Sequence, residues 1–234
     1  MTSTSAAARQ AGALYFLFSL VAVIREFFFP AFVVPGDATA TARNIAAAEL
    51  TYRIAILTGL VTLIMFIFLV VLLYKLLKDV DKTQAMLMVS LVTVGVALAL
   101  ANLFNEIAPL ILLSGADYLS VFTKSQLDAL ALAFLRLHGT GASVVSTFWG
   151  LWLFPFGILV IKSRFFPRIL GILLMVAGSA YVISSVTSIT LPAHRQVVSR
   201  IMMPLYFGEV PIILWLLIMG AKTPHPRVRP SQVS

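Results

Sequence analysis

Apolar residues fall in six long blocks, at 12–34, 54–77, 86–113, 141–161, 169–189 and 201–220, separated by short polar breaks. Each block supplies the ~20 apolar residues that a helix needs to cross a bilayer. None alternates strictly between apolar and polar positions, as a lipid-facing barrel strand would. A spanning backbone without a closed barrel must satisfy its own hydrogen bonds, which leaves the helix. The pattern therefore predicts an all-α polytopic membrane bundle of six transmembrane helices, with short interfacial helices on the outer side. The first block follows Arg9 but is too long for a signal sequence, so it reads as a retained span.

The breaks carry their own signals. Pro35-Gly36-Asp37 reads as a turn ending in a helix cap, with Asp37 accepting free backbone N–H groups. An alanine-rich helix over 38–53 is expected to lead into the second span. Thr123-Lys124-Ser125-Gln126 has capping-box spacing, placing a helix start at about Lys124. Run unbroken to Ile161, that helix would measure roughly 55 Å against a hydrocarbon core of ~30 Å. The part before Gly139-Thr140-Gly141 is therefore expected to lie outside the core, or the helix to bend at those glycines. Pro167 restarts a helix after a short loop. Residues 1–222 form one membrane domain in this reading, and the proline-bearing stretch 223–234 is expected to be a disordered cytoplasmic tail.

Composition agrees with the pattern. The chain is 60% hydrophobic and 11% charged, with a mean hydropathy of +1.01. A soluble domain carries ~25% charged residues. The net charge of +8 reads as loop cations and not as a nucleic-acid surface. Arg9, Lys75, Lys78, Lys82, Lys162, Arg164, Arg168, Lys222, Arg227 and Arg229 crowd into short segments on one side. The bias of such cations toward the cytoplasm predicts a cell-membrane protein with both termini cytoplasmic. Lys75, Lys78, Lys162, Arg164 and Arg168 read first as topology determinants, with contact to lipid headgroups as the functional alternative. There is no cysteine, which excludes disulfides, thiolate metal sites and thiol nucleophiles. No phosphate-binding loop, nucleophile elbow or dinucleotide fingerprint occurs, and no histidine pair has ligand spacing. No cofactor or metal is implied.

Several strings in order resemble one family. They are Pro35-Gly36-Asp37-Ala38 with Thr41 and Asn44-Ile45, then Leu73-Tyr74-Lys75-Leu76-Leu77, then Phe148-Trp149-Gly150-Leu151-Trp152-Leu153 with Pro155 and Gly157. Ser163-Arg164, Pro167-Arg168-Ile169-Leu170-Gly171, Leu191-Pro192, Gly208-Glu209 and Leu214-Trp215-Leu216-Leu217 follow. The set resembles the uncharacterised prokaryotic membrane family catalogued as domain-of-unknown-function 4386. The resemblance implies a multi-pass membrane protein and no activity.

Candidate chemistry lies in the polar residues inside the spans, where an ionisable group is costly and marks a site by default. Glu209 stands first, beside Gly208 and Pro211, whose ring and missing donor loosen the helix there. The structural alternative is an ion pair with an arginine or a hydrogen bond to a neighbouring helix. Asn102, Asn105 and Glu106 share one helix face, as pocket lining or as interhelical glue worth about 0.6 kcal/mol per contact. Tyr181, Ser184, Ser185 and Ser188 form a stripe at i, i+3, i+4 and i+7, read either as a wet wall or as close packing. Arg25 is a partner for Glu209 or Glu106, or snorkels to the interface with the aromatic residues after it. His138 is a candidate base, or a hydrogen-bonded structural histidine. Arg53 and Glu49 read as a surface pair, and Trp149 and Trp152 as packing residues.

These residues concentrate in the middle and outer halves of the spans. The expectation is a polar cavity open outward and closed below, binding and possibly transporting a small polar or amphiphilic ligand. Glu209, Arg25, Asn102, Asn105, Glu106, His138, Tyr181, Ser184 and Ser188 are its expected lining. The alternatives are an accessory or scaffold protein, and an intramembrane lipid- or isoprenoid-modifying enzyme with Glu209 or Glu106 as acid–base and His138 as helper. Membrane lipids and the ligand are the expected partners.

Overall fold

A computed structural model describes residues 3–28 and 32–221, with side chains over 5–25 and 32–221. The tail and Glu26 lie outside the described side chains. Among the described residues nine α-helical elements follow in order: α1 (Ser3–Phe28), α2 (Ala38–Ala47), α3 (Glu49–Leu77), α4 (Lys82–Leu112), α5 (Lys124–Leu151), α6 (Leu153–Ser163), α7 (Arg168–Thr190), α8 (Arg195–Tyr206) and α9 (Val210–Leu214). They make six segments long and apolar enough to cross a membrane, α5 with α6 forming the fourth and 192–219 the sixth. The protein is a multi-pass, all-α membrane bundle.

Local chemistry fixes most boundaries. Asp37 caps α2 by accepting from Ala40 N at 2.8 Å. Thr123 and Gln126 close the reciprocal capping box of α5. Pro167 precedes α7, and the turn before it needs Arg164 at φ +57°. Between α3 and α4, Asp81 caps α4 through Gln84 N and takes a 2.7 Å bond from Lys162 Nζ. That ion pair ties the two short loops together on the face carrying the clustered lysines and arginines, here termed the basic face. The opposite end, with α2 and the 114–123 connection, is the loop face.

Two expectations are corrected, and the first apolar block is helical in part: α1 covers Ser3–Phe28, while residues 32–34 lie outside any α-helix. The expected helix over 38–53 breaks at Ala48, with φ −132° and ψ 42°. There α2 turns away to pack on α5, burying Thr41, Ala42 and Ile45. The fourth span passes unbroken through Gly139 and Gly141 and is interrupted at Trp152. Pro155 explains the position, because it offers no N–H to the carbonyl of Leu151, four residues back.

The sixth span is the least regular. A 3₁₀ turn over Phe207–Glu209 separates α8 from α9, and a π-helical turn covers Trp215–Met219. Pro211 cannot donate to the Phe207 carbonyl, so the helix tightens at Glu209. Close approach to α7 is secured by small residues. A Cβ on Gly208 would lie 2.6 Å from the Leu173 carbonyl oxygen. Gly150 and Gly157 likewise face Gly178 and Gly171 backbone to backbone, a Cβ on either lying 2.6 Å from the opposing carbonyl. Such seams replace hydrophobic drive, which is weak between helices in lipid, with direct backbone packing.

Two apolar clusters bracket the middle of the bundle. The larger, including Tyr15, Phe66, Leu73, Met88, Trp152, Phe156, Leu174 and Ile212, reaches toward the basic face. The smaller joins Phe32, Ile45, Tyr52, Ile56, Leu103 and Leu135 near the loop face. The polar residues sit between them.

Candidate functional site

Glu209 forms one pole of the site. Tyr15 donates its hydroxyl to Glu209 Oε2 at 2.6 Å, bridging α1 to the sixth span. The Tyr181 hydroxyl of α7 interacts with the same carboxylate. The Tyr181 ring stacks on Tyr206, with centroids 4.5 Å apart, and Tyr206 donates to Ser184 Oγ at 2.6 Å. The 3₁₀ turn places Tyr206 and Glu209 side by side, so one irregular turn orients both groups. Hydrogen bonds to a carboxylate are worth about 1.5–3 kcal/mol each. No ion pair joins Glu209 to a cation among the described residues.

The second pole is a buried charge cluster. Arg25 at the end of α1 donates Nη2 to Glu106 Oε1 on α4. His138 Nε2 lies 2.8 Å from the same oxygen, and Glu106 is fully buried. Asn102 binds His138 twice, Nδ2 lying 3.2 Å from His138 Nδ1 and donating at 3.0 Å to its carbonyl. Asn105 donates to Asn102 Oδ1 at 3.0 Å. Tyr52 donates to the Glu106 carbonyl at 2.7 Å, one residue past the Asn105 carbonyl that Pro109 leaves without its regular helical donor. Glycines make room for these side chains. A Cβ on Gly59 would stand 2.7 Å from Arg25 Nε, and one on Gly141 would overlap the Asn102 side-chain oxygen.

Both poles line one cavity of about 550 Å³. Arg25, Asn102 and His138 stand at one end and Glu209, Tyr181 and Tyr206 at the other. Between them the wall is aromatic, with Phe18, Phe66, Trp149 and Trp152. Trp149 packs edge-on against Phe66 at 5.0 Å and is accommodated by Gly95, where a Cβ would fall 2.7 Å from the indole. The exposed members of the lining are Val23, Phe207 and Val210, at 54%, 64% and 41%. They belong to α1 and the sixth span. Those two helices meet closely toward the basic face, where the Gly12 backbone lies against Leu216 and Leu217, but α1 makes no comparable contact with α8. Among the described residues, the exposed lining therefore lies where α1 and the last span part.

The expected residues separate into groups. Glu209, Arg25, Asn102, His138 and Tyr181 line the cavity. Glu106 is one bond behind it, through Arg25 and His138, and Asn105 stands behind Asn102. Ser184 is reached only through Tyr206. Ser188 is not among the lining residues. The serine stripe therefore is not one wet wall. Ser185 is buried, within 2.6 Å of Thr147 Oγ1 and donating to the Ser143 carbonyl, so it fastens α7 to α5. Arg25 pairs with Glu106 and not with Glu209. Arg53 pairs with Glu49 at 2.7 Å on the surface. Tyr15 and Tyr206 were not expected; each is a lone phenol in an apolar run, which is the signal that finds them, since a buried hydroxyl needs a partner. Among the described residues no three His, Asp or Glu side chains are grouped to hold a metal ion.

Comparison with known proteins places the chain. An uncharacterized protein of Archaeoglobus fulgidus is 33% identical over 138 residues, covering 56% of this chain and 77% of that protein. No solved structure matches. The model of a family described as a domain of unknown function, DUF4386, matches residues 10–220, and the chain belongs to that family.

Proposed function

We propose that the protein binds an amphiphilic molecule, whose chain lies along the aromatic wall and whose polar group meets Glu209. The observation that carries this reading is that the exposed lining residues, Val23 on α1 and Phe207 and Val210 on the sixth span, lie on two neighbouring elements, between which we place a mouth opening sideways. A cavity inside a membrane bundle that opens between two helices is reached from the bilayer, and the molecules resident there are amphiphiles. An aromatic lining with a few placed polar groups is the usual character of a small-molecule site.

The filled core below the cavity favours binding over passage. Tyr15, Phe156 and Ile212 are all buried there. The enzyme reading is weaker, because Nε2 of His138 is held by Glu106 and Nδ1 by Asn102. A scaffold role accounts for the Arg25–Glu106–His138 cluster but not for the open space beside it.

The tryptophans provide the test. Trp149 and Trp152 line the cavity, and Trp215 lies outside it. A Trp215→Phe variant reconstituted in vesicles of brominated phosphatidylcholine is expected to lose fluorescence relative to unbrominated vesicles, because the quencher acts only at contact. Filling the cavity with Ser146→Leu is expected to restore the signal. Equal fluorescence in the two vesicle types would overturn the proposal.

A further inference from the structure

Resting on the reading just given, we infer that the polar group selected at Glu209 is a positively charged amine or quaternary ammonium. The charges of the two poles differ. Arg25 is matched by Glu106, so the cation at one end is already neutralised within the protein. Glu209 at the other end has tyrosine hydroxyls and no cationic side chain as partners among the described residues. A carboxylate has about four acceptor sites, and the Tyr15 bond, even with the Tyr181 hydroxyl beside it, leaves capacity for a further donor.

The wall beside Glu209 suits the same chemistry. Aromatic faces carry negative potential and attract cations, most strongly where water is excluded. Trp149, Tyr181 and Tyr206 line the cavity with the carboxylate. An aromatic surround with one acid is the arrangement that holds an ammonium group. A carboxylate or phosphate ligand would meet like charge at Glu209 and find Arg25 already taken. A neutral alcohol would keep a hydrogen bond and lose both the charge pairing and the cation–aromatic attraction. The lateral mouth lets the chain of such a ligand remain in the bilayer while its head turns inward.

Three amphiphiles of equal chain length separate the possibilities: dodecyltrimethylammonium, dodecanol and dodecanoate. Each is titrated into the Trp215→Phe protein in nanodiscs of brominated lipid, and recovery of tryptophan fluorescence reports displacement of lipid from the cavity. The ammonium compound is expected to half-displace at roughly tenfold lower concentration than the alcohol, with dodecanoate weakest, as one charge-assisted contact of ~1.4 kcal/mol implies. Glu209→Gln is expected to abolish the ammonium preference while displacement by dodecanol persists. Should that variant fail to fold, the ranking in the protein with Glu209 intact decides alone. Displacement by all three at equal concentration, or best by dodecanoate, would overturn the ammonium assignment and leave the cavity reading standing. Absence of any quenching to recover would remove both.

Discussion

Tyr15 and Glu209, 194 positions apart in the chain, share a hydrogen bond of 2.6 Å. The bond closes the bundle by joining its first and last spans just below the place where they part. Tyr15 is almost wholly buried, so its hydroxyl has no ready substitute. Tyr15→Phe removes one donor to a carboxylate and is expected to cost about 1.5–3 kcal/mol, read as a lowered thermal unfolding midpoint in detergent. Tyr74→Phe, on the same kind of helix without such a bond among those described, serves as the control and is expected to change little.

The Arg25–Glu106 pair makes a second prediction. Removing one member of a buried ion pair strands the other, at about 3–5 kcal/mol. Glu106→Leu alone is expected to destabilise by that order, and Arg25→Met alone by somewhat less, because Glu106 then keeps His138 Nε2 at 2.8 Å. The double variant is expected to recover much of the loss, since an apolar pair needs no partners. Strictly additive effects in the double-variant cycle would show that the two residues act separately.

Gly139 and Gly141 stand two residues apart and should behave oppositely. Nothing lies within 4 Å of a Cβ placed on Gly139. Gly139→Ala is expected to be neutral or to stabilise by up to about 1 kcal/mol, as alanine does within helices. Gly141→Ala collides with Asn102 and is expected to cost about 1–3 kcal/mol, releasing His138 from its amide partner. Paired thermal unfolding of the two variants checks the difference.

Asp81 gives the pH dependence on the basic face. The hydrogen bond from Lys162 is the largest influence on its carboxyl, followed by that from Gln84 N, and the group is held below the usual carboxylate range. A carboxyl whose folded pKa is depressed stabilises the protein above its unfolded pKa, and that stability drains away as pH falls through the folded value. Asp81→Asn keeps a good helix cap and removes the charge. Its unfolding midpoint is expected to lie modestly below that of the parent at neutral pH and to converge with it in acid. The pair is exposed to solvent, so the effect is small and shrinks further in high salt.

Much of this is legible in the chain before any coordinates. Block length gives the six spans, and the capping residues Asp37 and Thr123 fix two helix starts, because those signals are local. The shared face of Asn102, Asn105 and Glu106 follows from helical spacing. Which cation answers Glu106 is not local: Arg25 and His138 come from two other helices, and only packing selects them over Glu209. Ala48 carries no breaking signal of its own, so the end of α2 is set by burial of Ile45 against the loop-face cluster. Pro155 marks the interruption of the fourth span, but the glycines at 139 and 141 compete for the role until the Asn102 contact explains them. The sideways mouth proposed above is the least legible feature, since it depends on two helices that meet toward the basic face and make no comparable contact, among the described residues, at α8.

That separation is open to direct measurement, because the chain has no cysteine and thiols can be placed at will. Val23 on α1 and Phe207 on the last span are exposed lining residues, on either side of the proposed mouth. In the Trp215→Phe background, Val23→Cys with Phe207→Cys can be bridged by a short bis-methanethiosulfonate and released by reduction. Bridging is predicted to abolish quenching of the cavity tryptophans by brominated lipid, and reduction to restore it. Quenching that continues unchanged with the lips joined would contradict access from the bilayer.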